Sequence, residues 1–129
     1  MKSSKIALTY GSFDILHSGH IELFLNAISK GIKEIYVGLS TDEFASLKGK
    51  KHLLDYYTRK KHLEILKFIT HIFPEHNWEQ KEEDIRRINP AFTFFGSDWV
   101  DKDQMKSLPG VIFFPRTNYV CSSKIKNLI

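Results

Sequence analysis

The chain has one cysteine and four prolines, and its apolar runs are short. A single cysteine, Cys121, excludes an internal disulfide and suits a reducing compartment. No stretch approaches the roughly 18 consecutive apolar residues of a membrane-spanning helix. The first residues, Met1-Lys2-Ser3-Ser4-Lys5, lead into no long apolar signal segment. The expectation is a cytoplasmic protein with no membrane partner. Repeats, low-complexity tracts and linkers are also missing, so the 129 residues read as one domain with one core. Charge of one sign is scarce too: 19 Lys and Arg against 15 Asp and Glu leave +4. The bases are scattered rather than gathered in a stripe with stacking aromatics, which argues against nucleic acid as the main partner. Small phosphorylated anions remain suitable ligands.

What is present is an alternation of short apolar runs with longer amphipathic stretches. Strands are expected at 5–10, 34–39, 71–74, 92–95 and 111–114. Helices are expected at 18–30, closed by Gly31, at 58–69, with Leu63, Leu66 and Ile69 inward, and at 79–88, ended by Asn89-Pro90. A last helix, 124–128, would be capped by Ser122 or Ser123. Residues 40–57 read as a polar loop. The pattern predicts an α/β fold: one Rossmann-like domain with a five-stranded parallel sheet and helices on both faces. Right-handed crossovers then put every strand's C-terminal end on one edge, where such sheets bind ligands. Polar residues follow every strand there.

The most informative of these is His17-Ser18-Gly19-His20, where the first strand hands over to a helix through Gly11-Ser12-Phe13-Asp14. Two imidazoles three apart share a helix face. They could flank one phosphate, hold a metal, or bond backbone groups; the His-Glu-x-x-His of a metalloprotease is absent. Lys48-Gly49-Lys50-Lys51 is either a solvated run or a flexible strap that closes over a triphosphate. Arg59 opens a helix, unfavourably for its dipole, and reads either as an anion contact or as an exposed arginine. Asp98, in Gly96-Ser97-Asp98-Trp99, could accept from a ribose or base, or cap a turn. Arg116-Thr117 followed by the Ser122-Ser123 helix start forms a second anion site. Cys121 has no base beside it in sequence and reads as a packed residue. Trp78 reads as core or interface packing, with ligand stacking as the alternative.

Residues 9–20, Thr-Tyr-Gly-Ser-Phe-Asp-Ile-Leu-His-Ser-Gly-His, resemble the first motif of the cytidylyltransferases. Arg116-Thr117 with Ser122-Ser123-Lys124-Ile125 resembles their second signature. The segments 40–44, 48–51, 59–60, 74–81 and 96–99 narrow the likeness to the glycerol-3-phosphate branch. The resemblance implies transfer of CMP from CTP to glycerol 3-phosphate with Mg²⁺, in a homodimer. It implies that His17, His20, Lys48 and Arg116 are catalytic. It assigns the nucleotide to Gly11, Ser12, Phe13, Asp14, Lys50, Gly96, Asp98, Arg116, Thr117, Val120, Cys121 and Ser122. Arg59, Lys67 and Trp78 fall at acceptor positions, and no metal ligands are specified. The chain departs from the family pattern at Tyr119, for a glycine, Cys121, for a serine, Lys67, for an arginine, and Thr70, for an aspartate. Another phosphorylated alcohol, ATP in place of CTP, and a non-catalytic nucleotide-binding module stay open as alternatives.

Overall fold

Five apolar runs become five parallel strands. The computed structural model describes residues 5–49, 51–97 and 108–115. In chain order the elements are β1 (Ile6–Gly11), α1 (Ser18–Ile28), β2 (Glu34–Ser40), α2 (Asp42–Leu47), α3 (Tyr56–Glu64), β3 (Ile69–Glu75), α4 (Gln80–Ile88), β4 (Phe92–Gly96) and β5 (Val111–Phe114). The sheet order is β3-β2-β1-β4-β5. β1 runs beside β2 from Ile6 opposite Glu34 to Gly11 opposite Leu39. On its other side Ala7 and Leu8 meet Phe92 and Thr93 of β4. Strand order therefore reverses between β1 and β4, which opens a crevice at their C-terminal ends.

Alternation of side chains gives the sheet two apolar faces. Ala7, Ile35, Val37, Leu39, Phe92 and Phe94 pack with Phe24 and Ala27 of α1 and Leu63 of α3. Leu8, Tyr10 and Phe95 pack on the opposite face with Ile85 of α4. Phe24 is wholly buried, a contribution of about 1.5–3 kcal/mol for a side chain of its kind. Gly38 of β2 makes room for the Tyr10 ring: a Cβ there would lie 2.3 Å from it.

Two expectations are corrected. The 40–57 segment contains α2, which Thr41 caps by accepting from the Phe44 amide at 3.1 Å, with Asp42 and Glu43 in the first turn. Its six residues are too few and too polar to show helical periodicity. The helix expected at 58–69 starts earlier, because Asp55 caps α3 through the Thr58 amide. It also stops at Glu64, and Ile69 already belongs to β3. The Ile35 amide donates to the Phe68 carbonyl at 2.8 Å, which commits this segment to the sheet. Leu63, Leu66 and Ile69 are buried as expected, the last from a strand rather than a helix. Asn89, at φ 52°, closes α4 before Pro90.

Candidate active site

The turn between β1 and α1 is shaped by Phe13, which takes a left-handed conformation at φ 44°. That costs a non-glycine residue roughly 1–2 kcal/mol, and burial of its ring offsets it. The ring packs against Phe24 at 5.5 Å and His20 at 5.2 Å. Gly11 leaves space for it; a Cβ there would come within 2.9 Å of the ring. Ser12 follows with its Oγ buried and unpartnered among the described residues.

His17 and His20 then close the start of α1 reciprocally. His17 Nδ1 accepts from the Gly19 amide at 3.0 Å, and His20 Nδ1 accepts from the His17 amide at 3.3 Å. This is a capping box built from two imidazoles. The rings stack 3.9 Å apart. Because each Nδ1 is an acceptor, each ring's N–H donor is Nε2. The arrangement fixes both tautomers beside a helix N-terminus, at the mouth of the β1–β4 crevice. It bears out the backbone-bonding reading of the pair. Among the described residues no group of three His, Cys, Asp or Glu could hold a metal.

Asp14 bonds the Leu53 and Leu54 amides at 2.8 and 2.9 Å. Burial alone would raise its carboxyl, but these amides, with His52 and Arg59, hold it below its ordinary value. Arg59 is completely buried. Its Nε donates to the Leu54 carbonyl at 3.0 Å, its Nη1 to the Ser12 and Ser40 carbonyls at 2.9 and 2.8 Å, and its Nη2 to Asp42 Oδ1 at 2.8 Å. The guanidinium thus ties the post-β1 turn, the end of β2 and the start of α3 together. Arg59 was expected at an acceptor position; in the structure it donates four hydrogen bonds to protein groups. Lys67 is corrected. It is exposed and precedes β3, on the edge opposite His17. The seven residues of β3 separate it from the ligand edge, roughly 20 Å at a strand's rise.

A second cluster lies past the end of β3. Lys48 Nζ donates to Ser40 Oγ at 2.7 Å and stands 3.8 Å from Glu75 Oε1. Ser40 Oγ donates to Glu75 Oε1 at 2.9 Å, and Lys81 Nζ bonds Glu75 Oε2. Lys81 also faces the Trp78 ring at 4.5 Å and the Tyr10 ring at 4.8 Å. The Tyr10 hydroxyl donates to Asp84 Oδ2 at 2.8 Å. Burial, reinforced by that carboxylate, pushes the phenol far above its ordinary value and keeps it protonated. Tyr10, Lys48, Glu75, Trp78 and Lys81 line one small cleft with Gly11 and Phe95. Two ammonium groups and an aromatic wall enclose one carboxylate there.

The structure thus gathers His17, His20, Gly11, Ser12, Phe13 and Asp14 in one turn and sets Lys48 and Trp78 in the adjoining cleft. Gly96 ends β4 across the crevice. Lys50, Asp98, Arg116, Thr117, Val120, Cys121, Ser122 and the expected helix at 124–128 lie outside the described residues. Sequence reasoning missed Lys81. Its signal was the 81, 84, 85, 88 spacing, which puts it on the buried face of α4 with Asp84 and Ile85.

A profile of the family described as cytidylyltransferase-like matches residues 8–126. The chain is 40% identical over 123 residues to a glycerol-3-phosphate cytidylyltransferase of Staphylococcus aureus, covering 95% of this chain and 92% of that one. It is 41% identical over 126 residues to the protein of the same name from Bacillus subtilis, covering 97% of each. Among solved structures, a lipopolysaccharide core biosynthesis protein from Thermoplasma volcanium superposes with a TM-score of 0.65 at 22% identity, covering 92% of this chain and all of that one. A bifunctional NMN adenylyltransferase/ADP ribose pyrophosphatase from Francisella tularensis gives 0.58 at 15% identity, covering 97% of this chain and 41% of that one. At these identities the two structures bear on the fold alone.

Proposed function

This chain belongs to the cytidylyltransferase-like family, and we propose that it transfers CMP from CTP to glycerol 3-phosphate, releasing pyrophosphate and forming CDP-glycerol. The observation that carries this reading is the imidazole pair that caps α1 at the β1–β4 switch point. An acceptor phosphate oxygen attacks the α-phosphorus of CTP in line, and the bond to the pyrophosphate oxygen breaks. The attacking oxygen is already anionic, so no general base is needed. The difficulty is bringing two anions together and stabilising the charge that moves onto pyrophosphate, which positioning and fixed positive groups address.

His17 and His20 donate Nε2–H bonds to phosphate oxygens, with the rings pre-oriented by their Nδ1 bonds. Ser12 Oγ, buried without a partner among the described residues, is a further phosphate donor. Lys48 and Lys81 receive the acceptor's phosphate, Trp78 walls it, and Glu75 accepts from the polyol hydroxyls. Arg116 and the following helix start complete the triphosphate site in this reading. Mg²⁺ travels on the triphosphate, whose oxygens supply most of its ligands, so one or two carboxylates suffice from the protein. Asp14 fits that demand: each of its oxygens accepts a single amide and keeps a lone pair. Asp14 would hold the ion there, and the ion's charge would offset that of the departing pyrophosphate. A homodimer and a cytoplasmic setting belong to the same proposal. Exposed Leu47, Leu53 and Tyr57 supply apolar surface for a partner copy, and solution molar mass tests it.

The direct experiment combines CTP, Mg²⁺ and a panel of phosphorylated alcohols, with the nucleotide product weighed by mass spectrometry. The expected product is CDP-glycerol with stoichiometric pyrophosphate. Preference for ATP, or CTP binding without turnover on any acceptor, overturns the proposal.

A further inference from the structure

We propose that His52 is a positioning residue: it latches residues 52–54 onto the turn that carries His17, and so sets that turn for phosphate contact. The inference rests on the nucleotidyl-transfer reading above for its catalytic consequence, and on geometry alone for the latch.

Two routes join the segments. His52 Nε2 lies 3.2 Å from Asp42 Oδ1. The same oxygen accepts from Arg59 Nη2 at 2.8 Å, and Arg59 Nη1 reaches the Ser12 carbonyl at 2.9 Å. Meanwhile Leu53 and Leu54 donate directly to Asp14. Residues 52–54 are thereby fastened to residues 12–14, three positions before His17. The first route depends on Asp42, a carboxylate that is 41% exposed and needs fixing. His52 fixes it from one side and Arg59 from the other.

The state of the His52 ring distinguishes a latch from plain packing. Its side chain is only 18% exposed, and Nδ1 is buried with no partner among the described residues. An unpartnered buried nitrogen opposes the folded state. The contact with Asp42 and the orphaned nitrogen act in opposite directions on stability. The contact outweighs the orphaned nitrogen, so removing the imidazole loosens the segment and the aim of Asp42 and Arg59 is lost.

The test uses the full chain with His52→Ala and His52→Gln. Trypsin cleavage after Lys51, an exposed residue next to the latch, reads opening of the segment. His52→Ala is expected to raise that cleavage rate about 10-fold, the scale of one polar contact with a carboxylate. Its Tm should fall by about 4–6 °C, the shift the same loss gives in a domain of this size. His52→Gln, whose amide can still donate to Asp42, should return cleavage to within about threefold of the parent. In parallel, kcat/KM for CTP should fall about 10-fold in His52→Ala and recover in His52→Gln. The KM for glycerol 3-phosphate should hold. Unchanged cleavage in His52→Ala, or no rescue by His52→Gln, overturns the latch. Raised cleavage with unchanged CTP kinetics overturns the positioning role. A parent protein without turnover overturns the proposed reaction instead, and cleavage still decides the latch.

Discussion

Replacing Arg59 by Met tests whether one guanidinium joins three segments of the chain. The residue is fully buried and makes four hydrogen bonds, three to carbonyls and one to a carboxylate. Met fills much of the stem's volume but supplies no donor. The Ser40 carbonyl loses its guanidinium donor in a fully buried residue, at about 1–3 kcal/mol. The Ser12 and Leu54 carbonyls are half-buried and partly rehydrate, at about 1 kcal/mol each. Asp42 is exposed enough to hydrate, so its share is held to about 0.5–1 kcal/mol. Relief of guanidinium desolvation offsets part of this. The net expectation is a loss of about 3–5 kcal/mol, in line with breaking a buried ion pair.

Domains of this size have about 5–15 kcal/mol of total stability, so the variant still folds at low temperature. Urea unfolding followed by tryptophan fluorescence measures the loss. With m near 2 kcal/mol/M, the midpoint should fall by about 2 M at unchanged slope. Arg59→Lys keeps the charge but cannot span four acceptors with one ammonium, and should lose roughly half as much. A midpoint shift below about 0.5 M for Arg59→Met would refute the claim that one guanidinium joins the three segments.

Three further outcomes follow from the same geometry. His17→Ala and His20→Ala should each lower turnover on the order of 10²-fold or more. His17→Ala should also lose about 1 kcal/mol of helix-cap stability, which His17→Ser restores without restoring pyrophosphate release. Asp14 and Asp55 both have carboxyls held below their ordinary value of 3.8, so the stability they add is complete above that pH and is lost as pH falls through their lowered values. Acid titration of unfolding should be flat from neutrality to about pH 5 with respect to these groups, and Asp14→Asn should flatten the limb below about pH 4. Lys81→Met should raise the KM for glycerol 3-phosphate about 10-fold or more while leaving the KM for CTP near the parent value, as initial-rate kinetics would read.

The architecture was legible wherever burial on both sheet faces wrote a continuous apolar run, and all five strands came from such runs. The helix-to-strand switch between Glu64 and Ile69 was not. Leu63, Leu66 and Ile69 continue a helical spacing, and a residue can be buried from either element; only the pairing of Phe68 with Ile35 decides. The imidazole pair was legible because its partners are neighbours in the chain. The Arg59 assembly was not, because its carboxylate, its Ser12 carbonyl and the amides on Asp14 are separated by 17, 47, and 39 or 40 residues. Arg59 was placed by likeness of position and by its place at a helix start, and Lys67 by likeness of position alone. Burial sets the first inside the fold, and strand direction sets the second on the far edge.

Ser40 connects the two charged assemblies. Its carbonyl accepts from Arg59, while its hydroxyl receives Lys48 and donates to Glu75. A fold selected only for stability would fill these sites with apolar side chains, since buried ion pairs are often no more stable than hydrophobic replacements. Here three cations, Lys48, Lys81 and Arg59, are buried around the ends of β1, β2 and β3. Their common location is the edge where two phosphorylated substrates must approach within bonding distance. Fixed charge there lowers the repulsion between them with little reorganisation during the reaction. Tightness on the Arg59 side and a small cleft on the Lys81 side divide the labour: one assembly holds the turn, and the other is the one proposed to meet the acceptor. A shift in Ser40 would be felt by both, so Ser40→Ala should disturb Lys48 and Glu75 through the lost hydroxyl while leaving the Arg59 carbonyl bond in place.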